Sequence, residues 1–521
     1  MKNITLLKAK VGILAVSCLS ITALFACVDK DARSDLSPNL PTDQAQNGDF
    51  GDQGGGSDQG LNFPVFDDGV LVFPGAEGYG KNATGARAGE GREIYHVTNL
   101  NDAGPGSFRD AVSKPWRIIV FDVSGVIRLS KDPIVLKSNQ TILGHTAPGD
   151  GVVLYGGRVS ASGAQNLVVR YLRMRMGAAY SGDQDACGIA NGANMIFDHC
   201  SITWGKDENF SINPDGKGTS PKNITIQNSI IGQGLQNHSC GGLMQTDISN
   251  GCTIFRNLYI DNKTRNPKVK GLNQFVNNVV YNWGSGAAYN MSGDSQGKSE
   301  TTIENNYFIV GPCYNWQNVA QPDGSIKTEY VPMNPARPFT GGNGNFNTYC
   351  KGNYYDNNKD GALDGVEITE TNWSQYCSGS PVFLEARSDL HPIIRSQKSA
   401  QEAYEWVVEK VGAYLPVRDE VDKYLIDELT SLGGKGTIIQ DERKTEQFPL
   451  GGPGTINAAQ KPLDSDNDGM PDAFEDAWGL DKYDPTDAVK EAKNGYLNIE
   501  NYALSLEYPD EYEYELNKNK Q

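Results

Sequence analysis

The chain repeats one pattern of apolar and β-branched residues as NLVVRYLRMRMG (166–177), NMIFDHCSITWG (194–205) and NITIQNSIIGQG (223–234). Related copies also begin at 139, 252, 273 and 301, so that successive copies start 21 to 29 residues apart. Short strands repeated at such a period indicate a solenoid, whose coils bury their apolar faces only by stacking. The connecting segments are loops rich in Gly, Asn, Asp and Ser rather than amphipathic helices. We therefore predict an all-β protein built as a single-stranded right-handed parallel β-helix, its hand following the rule for parallel crossovers.

Two features refine this fold prediction. Asparagines inside the copies are expected to stack in ladders at the strand corners: Asn277, Asn278, Asn305 and Asn306. The later segment 399–432 instead has helical periodicity, interrupted near Pro416, and is expected to cover the solenoid as C-terminal helices.

Composition restricts the classes of function. The chain has 521 residues and a net charge of −18, from 46 basic and 64 acidic side chains. This charge argues against a protein that binds nucleic-acid phosphates with a basic face. A hydrophobic share of 38% argues against a polytopic membrane protein. A polyanionic partner would need a local basic patch or a bridging cation.

The N-terminus has the features of an export signal. A basic start precedes an apolar run at 11–25, which is too short to span a membrane comfortably. The run ends in LFAC (24–27), which resembles a bacterial lipobox. We predict a lipoprotein signal peptide at 1–26, lipidation of Cys27 and a flexible polar tether at 27–65. The protein would then be an exported lipoprotein of the outer membrane.

Seven cysteines follow the signal region, so at least one stays unpaired if others form disulfides after export. They are Cys187, Cys200, Cys240, Cys252, Cys313, Cys350 and Cys377. Burial as small apolar side chains is at least as good an interpretation for the first four.

Five separated blocks occur in order: FPGAEGYG (73–80), TNLNDAGPGSFRDAV (98–112), RIIVFDVSGVI (117–127), GHTAPGDGV (144–152) and MIFDHCSITWGKDE (195–208). Together they resemble the pectate lyases of polysaccharide lyase family 1, most closely a bacterial lipoprotein branch with C-terminal helices. The resemblance implies a pectin-lyase-like parallel β-helix, here expected over 66–455. It also implies β-elimination: a base removes the C5 proton of a galacturonate, and a cation stabilises the charge on the adjacent carboxylate.

The resemblance places Ca²⁺ ligands on three aspartates. Asp183 and Asp185 would share one face if they lie on a strand, and Asp207 would be a third ligand. The usual fourth position is Ser211 here, so Glu208 or water would replace it. Asp198 lies between these ligands in sequence, and we expect it to anchor a structural hydrogen-bond network instead.

The segment DNKTRNPKVKGL (261–272) carries the expected base. The resemblance assigns proton abstraction to Arg265 and substrate binding to Lys270, while Lys268 is expected to point to the opposite face. Because the pKa of free arginine exceeds about 12, Arg265 can act only if neighbouring cations disfavour its protonated form. These cations would be Lys270 and Ca²⁺.

Three further basic residues are candidates for substrate binding. His238 lies near the place where the family commonly has a lysine, although a structural role is equally good for a lone histidine. Lys206 and Arg175 could also line the groove.

A second calcium signal lies near the C-terminus, in DSDNDGMPDAFE (464–475). It matches the EF-hand loop, with Gly at position 6 and a backbone carbonyl at position 7. The predicted ligands are Asp464, Asp466, Asp468, Met470, Asp472 and Glu475. We expect a short helix after Pro471, a partner helix within 494–506, and a calcium-loop appendage spanning 460–521.

The sequence thus predicts a calcium-dependent pectate lyase that cleaves (1→4)-α-D-galacturonan to 4,5-unsaturated oligogalacturonides. The expected partner is homogalacturonan, with no nucleic acid, membrane contact only through the lipid, and a monomeric state. Two alternatives stay open: a non-catalytic galacturonan-binding lipoprotein, and a pectin lyase acting on methyl-esterified substrate. The acidic residues argue against the second, because such enzymes lack them.

Overall fold

The computed structural model describes residues 69–130, 132–217, 219–235, 238–284, 287–291, 298–332 and 337–518. The predicted signal peptide, Cys27 and the tether lie outside these residues. No helix in the described ranges has the length and hydropathy needed to cross a membrane.

Three stacked parallel sheets form the body of the protein, which confirms the predicted parallel β-helix. One sheet has eleven strands in the described residues, and they stack in chain order: Glu93–Val97, Arg117–Phe121, Gln140–Leu143, Gln165–Arg170, Ala193–Asp198, Lys222–Gln227, Gly251–Phe255, Leu272–Val276, Ser299–Glu304, Phe346–Lys351 and Val382–Phe383.

The second sheet has ten described strands, again in chain order, and only its last pair is antiparallel. Its strands are Gly125–Arg128, Val152–Tyr155, Arg173–Arg175, Ser201–Thr203, Ile230–Gly232, Leu258–Ile260, Val279–Tyr281, Tyr307–Ile309, Asn353–Asp356 and Val366–Ile368.

The third sheet has eight described strands and carries the residues of interest. Its strands are Ile134–Val135, Val159–Ser160, Cys187–Ile189, Phe210–Ile212, Leu243–Gln245, Lys268–Lys270, Tyr289–Met291 and Phe339–Gly341. A small separate sheet joins Tyr314–Ala320, Ile326–Pro332 and Thr437–Ile438.

Residues with positive φ turn the chain at the corners between sheets. Asn166, Asn194 and Asn223 are the second residues of successive strands of the eleven-stranded sheet, with φ of 53°, 57° and 54°. Asparagine tolerates this left-handed conformation better than most residues. Their side-chain amides also bond to one another, at 3.3 Å from Asn194 to Asn166 and 2.9 Å from Asn223 to Asn194.

The predicted asparagine ladder is half right. Asn278 donates to Asn306 at 3.2 Å, and Asn306 donates to Asn353 at 2.8 Å. Asn277 and Asn305 instead adopt positive φ at the corner, where the Asn277 amide donates to the backbone carbonyl of Asn305. The Asn277 amide also donates to the backbone carbonyl of Lys398 at 2.8 Å, so its hydrogen bonds go to the backbone rather than to a side-chain ladder.

Helices cover the β-helix as predicted. Helix α1 (Phe108–Ala111), α2 (Trp373–Tyr376) and a 3₁₀ turn (Gly144–Thr146) are short. Helices α3 (Ala400–Lys410) and α4 (Glu420–Thr430) lie on either side of Pro416. Their apolar faces pack on the ten-stranded sheet, so this face of the solenoid is buried.

The C-terminal segment packs on the eleven-stranded sheet. Helix α5 (Asp472–Trp478) has Pro471 as its N-cap, as predicted, and is followed by α6 (Asn498–Glu507) and α7 (Pro509–Lys518). Buried side chains of α5 and α6 join one apolar cluster with the sheet residues Ile118, Val168 and Ile196. The expected partner helix is therefore present.

The main core lies between the three sheets and includes most of the described cysteines. All seven cysteines after the signal region are buried and unpaired. They act as small apolar side chains, which agrees with that interpretation of the sequence.

Candidate active site

Three carboxylates meet on the outward side of the eight-stranded sheet. One ligand oxygen each from Asp185, Asp207 and Glu208 lie within 4.8 Å of one another. Asp185 precedes the strand Cys187–Ile189, and its Oδ1 accepts the Glu208 backbone N–H at 3.2 Å. The parallel pairing of neighbouring coils thus brings together residues that are separated in sequence. We call these three residues the groove carboxylates.

Asp183 does not join the groove carboxylates. The strand begins only at Cys187, so Asp183 and Asp185 lie in the preceding loop and the expectation of a shared strand face is wrong. Asp183 is exposed, whereas Asp185 is partly buried. Gly182, with a φ of 91°, bends the chain just before Asp183.

Glu208 is the most buried of the groove carboxylates, with its side chain 4% exposed. Burial, followed by the charges of Asp185 and Asp207, raises the pKa of Glu208 to about 8. Burial also raises the pKa of Asp185. Three carboxyl groups held this close repel one another unless a proton or a cation lies between them.

Arg265 forms an ion pair with Glu208 through Nη1. The residue has a φ of 56°, and a backbone bridge between Cys240 and Thr264 aligns its segment with the coil that carries Glu208. Burial acts to lower the pKa of Arg265, but the nearby Cys240 and Glu208 raise it overall. The expected lowering of this pKa by Lys270 and Ca²⁺ concerns the calcium-bound site and stays a prediction.

Lys270 lies on the next coil, in the strand Lys268–Lys270, paired with Gln245. Val269 between the two lysines is buried, and both lysines are partly exposed on the outward face. The expectation that Lys268 points to the opposite face is therefore wrong, because residues two apart on a strand share a face. Lys268 is paired with Leu243 in the sheet, and the Leu243 backbone N–H donates to Ser211 Oγ at 3.1 Å. The basic residues and the groove carboxylates therefore lie along one continuous surface.

The other predicted basic residues have different placements. His238 Nε2 lies 3.5 Å from Asp207 Oδ1 at the edge of the groove. Lys206 donates to the backbone carbonyl of Tyr180 at 2.7 Å, which holds the loop before the groove. Arg175 does not line the groove: it is fully buried and bonds to Asp419 and Asp422 at the covering helix α4.

A cavity of about 210 Å³ adjoins the groove carboxylates. Ser211 lines it but uses its hydroxyl to accept the Leu243 N–H, so it takes no carboxylate-like role. Arg158 also lines it, with Nη2 4.0 Å from Asp185 Oδ2 and Nη1 bonded to Gln184. Sequence reasoning missed Arg158, which belongs to no motif and comes close only through coil stacking.

The groove carboxylates fit a calcium ion. Their donors are hard oxygens, which Ca²⁺ prefers, and burial together with the mutual repulsion of the carboxylates raises the pKa of Glu208, which a cation would relieve. By contrast, Asp198 accepts from Arg170, Gln227 and Asn228 inside the eleven-stranded sheet. Its structural role is confirmed.

The C-terminal loop brings together most of its predicted ligands. Oxygens of Asp464, Asp466 and Asp468 lie within 4.8 Å of one another. A second such group joins Asp468 to Glu475 and to Asp487, a residue beyond the loop. We call these five residues the loop carboxylates.

One predicted loop ligand is engaged differently. Asp472 accepts the backbone N–H and the hydroxyl of Ser465 at 2.7 and 2.8 Å, so it braces the loop. Met470 donates its backbone N–H to Asp468 at 2.9 Å, and the role of its carbonyl as a ligand stays a prediction. Gly469 has a φ of 92°, as the sharp turn at position 6 requires.

The loop carboxylates also fit a cation. Buried oxygens of Asp466, Asp468, Glu475 and Asp487 have no hydrogen-bond partner in the described structure. Burial and neighbouring carboxylates raise the pKa of Asp468 to about 7 and that of Glu475 to about 8. Buried acceptors without donors are costly, and a hard cation would satisfy them.

Comparison with known proteins places this fold and groove in a family. The pectate lyase family profile matches residues 75–336. A probable pectate lyase C of Aspergillus fumigatus is 48% identical over 437 residues, which cover 84% of this chain and 94% of that protein. A probable pectate lyase C of Aspergillus flavus is 46% identical over 448 residues, which cover 86% of this chain and 96% of that protein. The chain therefore belongs to the pectate lyase family.

Solved structures show more distant likeness. The major allergen Jun a 1 of cedar pollen aligns with a TM-score of 0.43 and 16% identity, over 65% of this chain and 92% of its own. A pectate lyase of Bacillus sp. N165 in complex with trigalacturonate aligns with a TM-score of 0.41 and 16% identity, over 65% and 98%. These alignments are too distant to carry residue roles to this chain. The curated relatives named above are fungal, so the bacterial lipoprotein branch stays a prediction.

Proposed function

We propose that this protein is a calcium-dependent pectate lyase that cleaves (1→4)-α-D-galacturonan by β-elimination to 4,5-unsaturated oligogalacturonides. One observation carries the proposal: Arg265 contacts Glu208 beside Asp185 and Asp207 on the face that also presents Lys268 and Lys270. A base, a site for a hard cation and positive charge for a polyuronate thus share one groove.

The charge pattern of the groove matches an acidic polymer. Neighbouring coils lie about 4.8 Å apart, so Lys268 is about 10 Å along the sheet from Ser211, two coils away. The two lysines can pair with successive uronate carboxylates while Arg158 faces the other end of the groove. Local pairing of this kind outweighs the repulsion from the net charge of −18, because salt screens distant charges beyond roughly 8 Å.

The chemical step assigned to the chain is removal of the C5 proton. The C5–H electrons form the C4–C5 double bond, the C4–O4 bond breaks, and the departing O4 takes a proton from solvent. Asp185, Asp207 and Glu208 would hold Ca²⁺, which when bound neutralises charge on the substrate carboxylate. A cation held by Glu208 would offset the charge of that carboxylate, which otherwise raises the pKa of Arg265, while burial already acts to lower this pKa and so favours the neutral arginine that accepts the proton.

We further propose that the protein acts as an exported outer-membrane lipoprotein attached through Cys27, with its loop carboxylates as a separate structural Ca²⁺ site. The N-terminal sequence supports the first part. The unpartnered carboxylate oxygens near α5 support the second. We retain the prediction that it is a monomer.

The test is an ultraviolet assay for the unsaturated product. Purified protein with polygalacturonate and Ca²⁺ should generate absorbance that a chelator removes. Asp207→Asn should reduce the rate, whereas the matched change Asp183→Asn should not, because Asp183 lies outside the groove carboxylates. A folded protein that binds polygalacturonate without forming unsaturated product would instead identify the galacturonan-binding alternative. Activity confined to methyl-esterified pectin and insensitive to a chelator would identify a pectin lyase.

A further inference from the structure

A second polar cavity lies away from the catalytic groove. It has a volume of about 480 Å³, within the roughly 300–1,000 Å³ typical of small-molecule sites. It opens at the corner between the eleven- and ten-stranded sheets, beneath α3 and the junction of α6 and α7. We call it the corner pocket, and the residues that matter here are His199, Arg256, Trp406, Lys410 and Glu507.

Arg256 is the unusual residue of the corner pocket. It is 8% exposed, yet the described residues offer its guanidinium no carboxylate within ion-pair distance. Its Nε donates to Asn228 at 2.8 Å, and its Cζ lies 3.7 Å from the centre of the Trp406 ring. Burial lowers the pKa of Arg256 to about 10, although nearby acidic groups, Asp198 foremost, act to raise it.

Arg170 provides the contrast within the same region. It is also buried, but it bonds to Asp198 at 2.8 Å and to Glu507 at 2.6 Å. These two carboxylates are therefore already engaged by Arg170. A buried arginine normally has such partners, and Arg256 has no ion-pair partner in the described residues, so a ligand carboxylate in the pocket can supply one.

His199 adds a second unpartnered group. Its Nδ1 lies 2.9 Å from Asp198 Oδ2, and its ring stacks on Tyr171 with centroids 4.7 Å apart. Its Nε2 is buried and has no hydrogen-bond partner in the described structure. Because Nδ1 faces the Asp198 carboxylate, Nε2 is the ring nitrogen that a hydroxyl from outside the described structure can satisfy.

We propose that the corner pocket binds a small hydroxy acid, whose carboxylate pairs with Arg256 and whose hydroxyl donates to His199. Arginine suits this role because its fork matches a carboxylate through two parallel hydrogen bonds. Lys410 also lines the pocket, but its Nζ lies 3.8 Å from Glu409, and Asp510 and Glu511 line the pocket as well, so Arg256 supplies the main attraction for an acid. The inference does not rest on the lyase activity, since the pocket shares no residue with the groove.

Such a ligand would contact segments far apart in the chain. The pocket walls come from Phe73–Gly75, from α3 and from the start of α7, as well as from the β-helix corner. Occupancy would therefore stabilise the docking of the C-terminal helices. The ligand could be a uronic acid derived from pectin or another hydroxy acid, and the two sources are distinguished by titration.

The experiment is calorimetric titration of the full chain carrying Arg265→Ala, in a chelator, so that the groove is silent. The ligands are D-galacturonate, citrate, and D-galactose as the neutral match of galacturonate. One of the acids should bind with one-to-one stoichiometry and galactose should not. Galacturonate binding indicates a pectin-derived ligand, and binding of citrate alone indicates another hydroxy acid.

Arg256→Gln should weaken acid binding by at least about tenfold, because the charged pair is lost. If the buried variant proves unstable, Lys410→Glu tests the same site from a half-exposed position, and it should also weaken binding. The proposal is overturned if neither acid binds at millimolar concentration, if galactose binds equally well, or if the folded Arg256 and Lys410 variants bind as tightly as their parent.

Discussion

The groove carboxylates and the loop carboxylates have the same ligand chemistry but face different partners. In the groove, Glu208 is ion-paired with Arg265, and lysines extend along the same face. In the loop, several buried oxygens have no partner in the described structure, and the nearest cation is Lys461, 3.5 Å from Asp464. The difference teaches that clustered carboxylates alone do not define an active site. A base and an open, positively charged surface beside them do.

The largest expected effect separates the two sites by catalysis. Arg265→Ala should lower the lyase rate on polygalacturonate by about 10²- to 10⁴-fold, the usual contribution of a proton-transferring side chain. Asp468→Asn should leave the rate at saturating Ca²⁺ nearly unchanged, because the loop does not contact the groove. The ultraviolet assay measures both. Equal losses in the two variants would contradict the division of roles.

The second effect concerns calcium affinity in the groove. Glu208→Gln removes one charged ligand and should raise the Ca²⁺ concentration for half-maximal rate by at least about tenfold. Asp183→Asn is the matched control, since its side chain is exposed and lies outside the cluster. An unchanged calcium requirement in Glu208→Gln would show that Glu208 is not a ligand.

The third effect concerns stability at the loop. Ca²⁺ at 100 times its dissociation constant should add about 2.7 kcal/mol to the free energy of unfolding, because only the folded loop binds it. Asp468→Asn should remove most of the calcium-dependent rise in Tm, whereas Asp476→Asn on the exposed side of α5 should retain it. Scanning calorimetry with Ca²⁺ and with a chelator makes the comparison. A rise that survives in Asp468→Asn would argue against this site.

The smallest effect uses a carboxyl pair that is held by a proton rather than by a metal. Asp261 and Glu428 on α4 are buried against each other. Asp261 Oδ2 and Glu428 Oε2 have no hydrogen-bond partner in the described structure. Burial raises the pKa of Asp261 to about 6 and that of Glu428 well above its usual value. One carboxyl must therefore keep a proton in the folded state.

The pH dependence of this pair follows from those shifts. The folded state binds more protons than the unfolded state above the ordinary pKa of 3.8, so stability falls as pH rises through about 6. Glu428→Gln replaces the carboxyl group by an amide, which donates a hydrogen bond but does not titrate, so it should flatten this slope. Asp427→Asn on the exposed face of α4 should not. Thermal midpoints measured in a chelator between about pH 4 and pH 8 provide the test. Parallel slopes in wild type and Glu428→Gln would refute the shared proton.

The sequence predicts the solenoid well because its signal is repeated in every coil. The copies at 166, 194 and 223 became strands in register, and the break at Pro416 separates α3 from α4. Asp185, Asp207 and Arg265 also lie close together, because coil stacking places residues that are one period apart in sequence next to each other.

The parts that could not be predicted depend on boundaries and side-chain contacts. The strand face predicted for Asp183 and Asp185 was wrong, because the strand begins only at Cys187 and both residues lie in the loop before it. The pairing of Glu208 with Arg265 joins residues 57 apart, and no local pattern encodes it. Asp487 joins the loop carboxylates from outside the motif, and only the folded appendage brings it there.

The most direct test of the central claim is the mass of the products formed from polygalacturonate. If Arg265 removes the C5 proton beside Ca²⁺ held by the groove carboxylates, wild-type protein with Ca²⁺ will release oligogalacturonides one water lighter than hydrolytic products. Arg265→Ala will release them about 10²- to 10⁴-fold more slowly. Saturated products, or unsaturated products formed equally well by the Arg265 variant, would contradict the account.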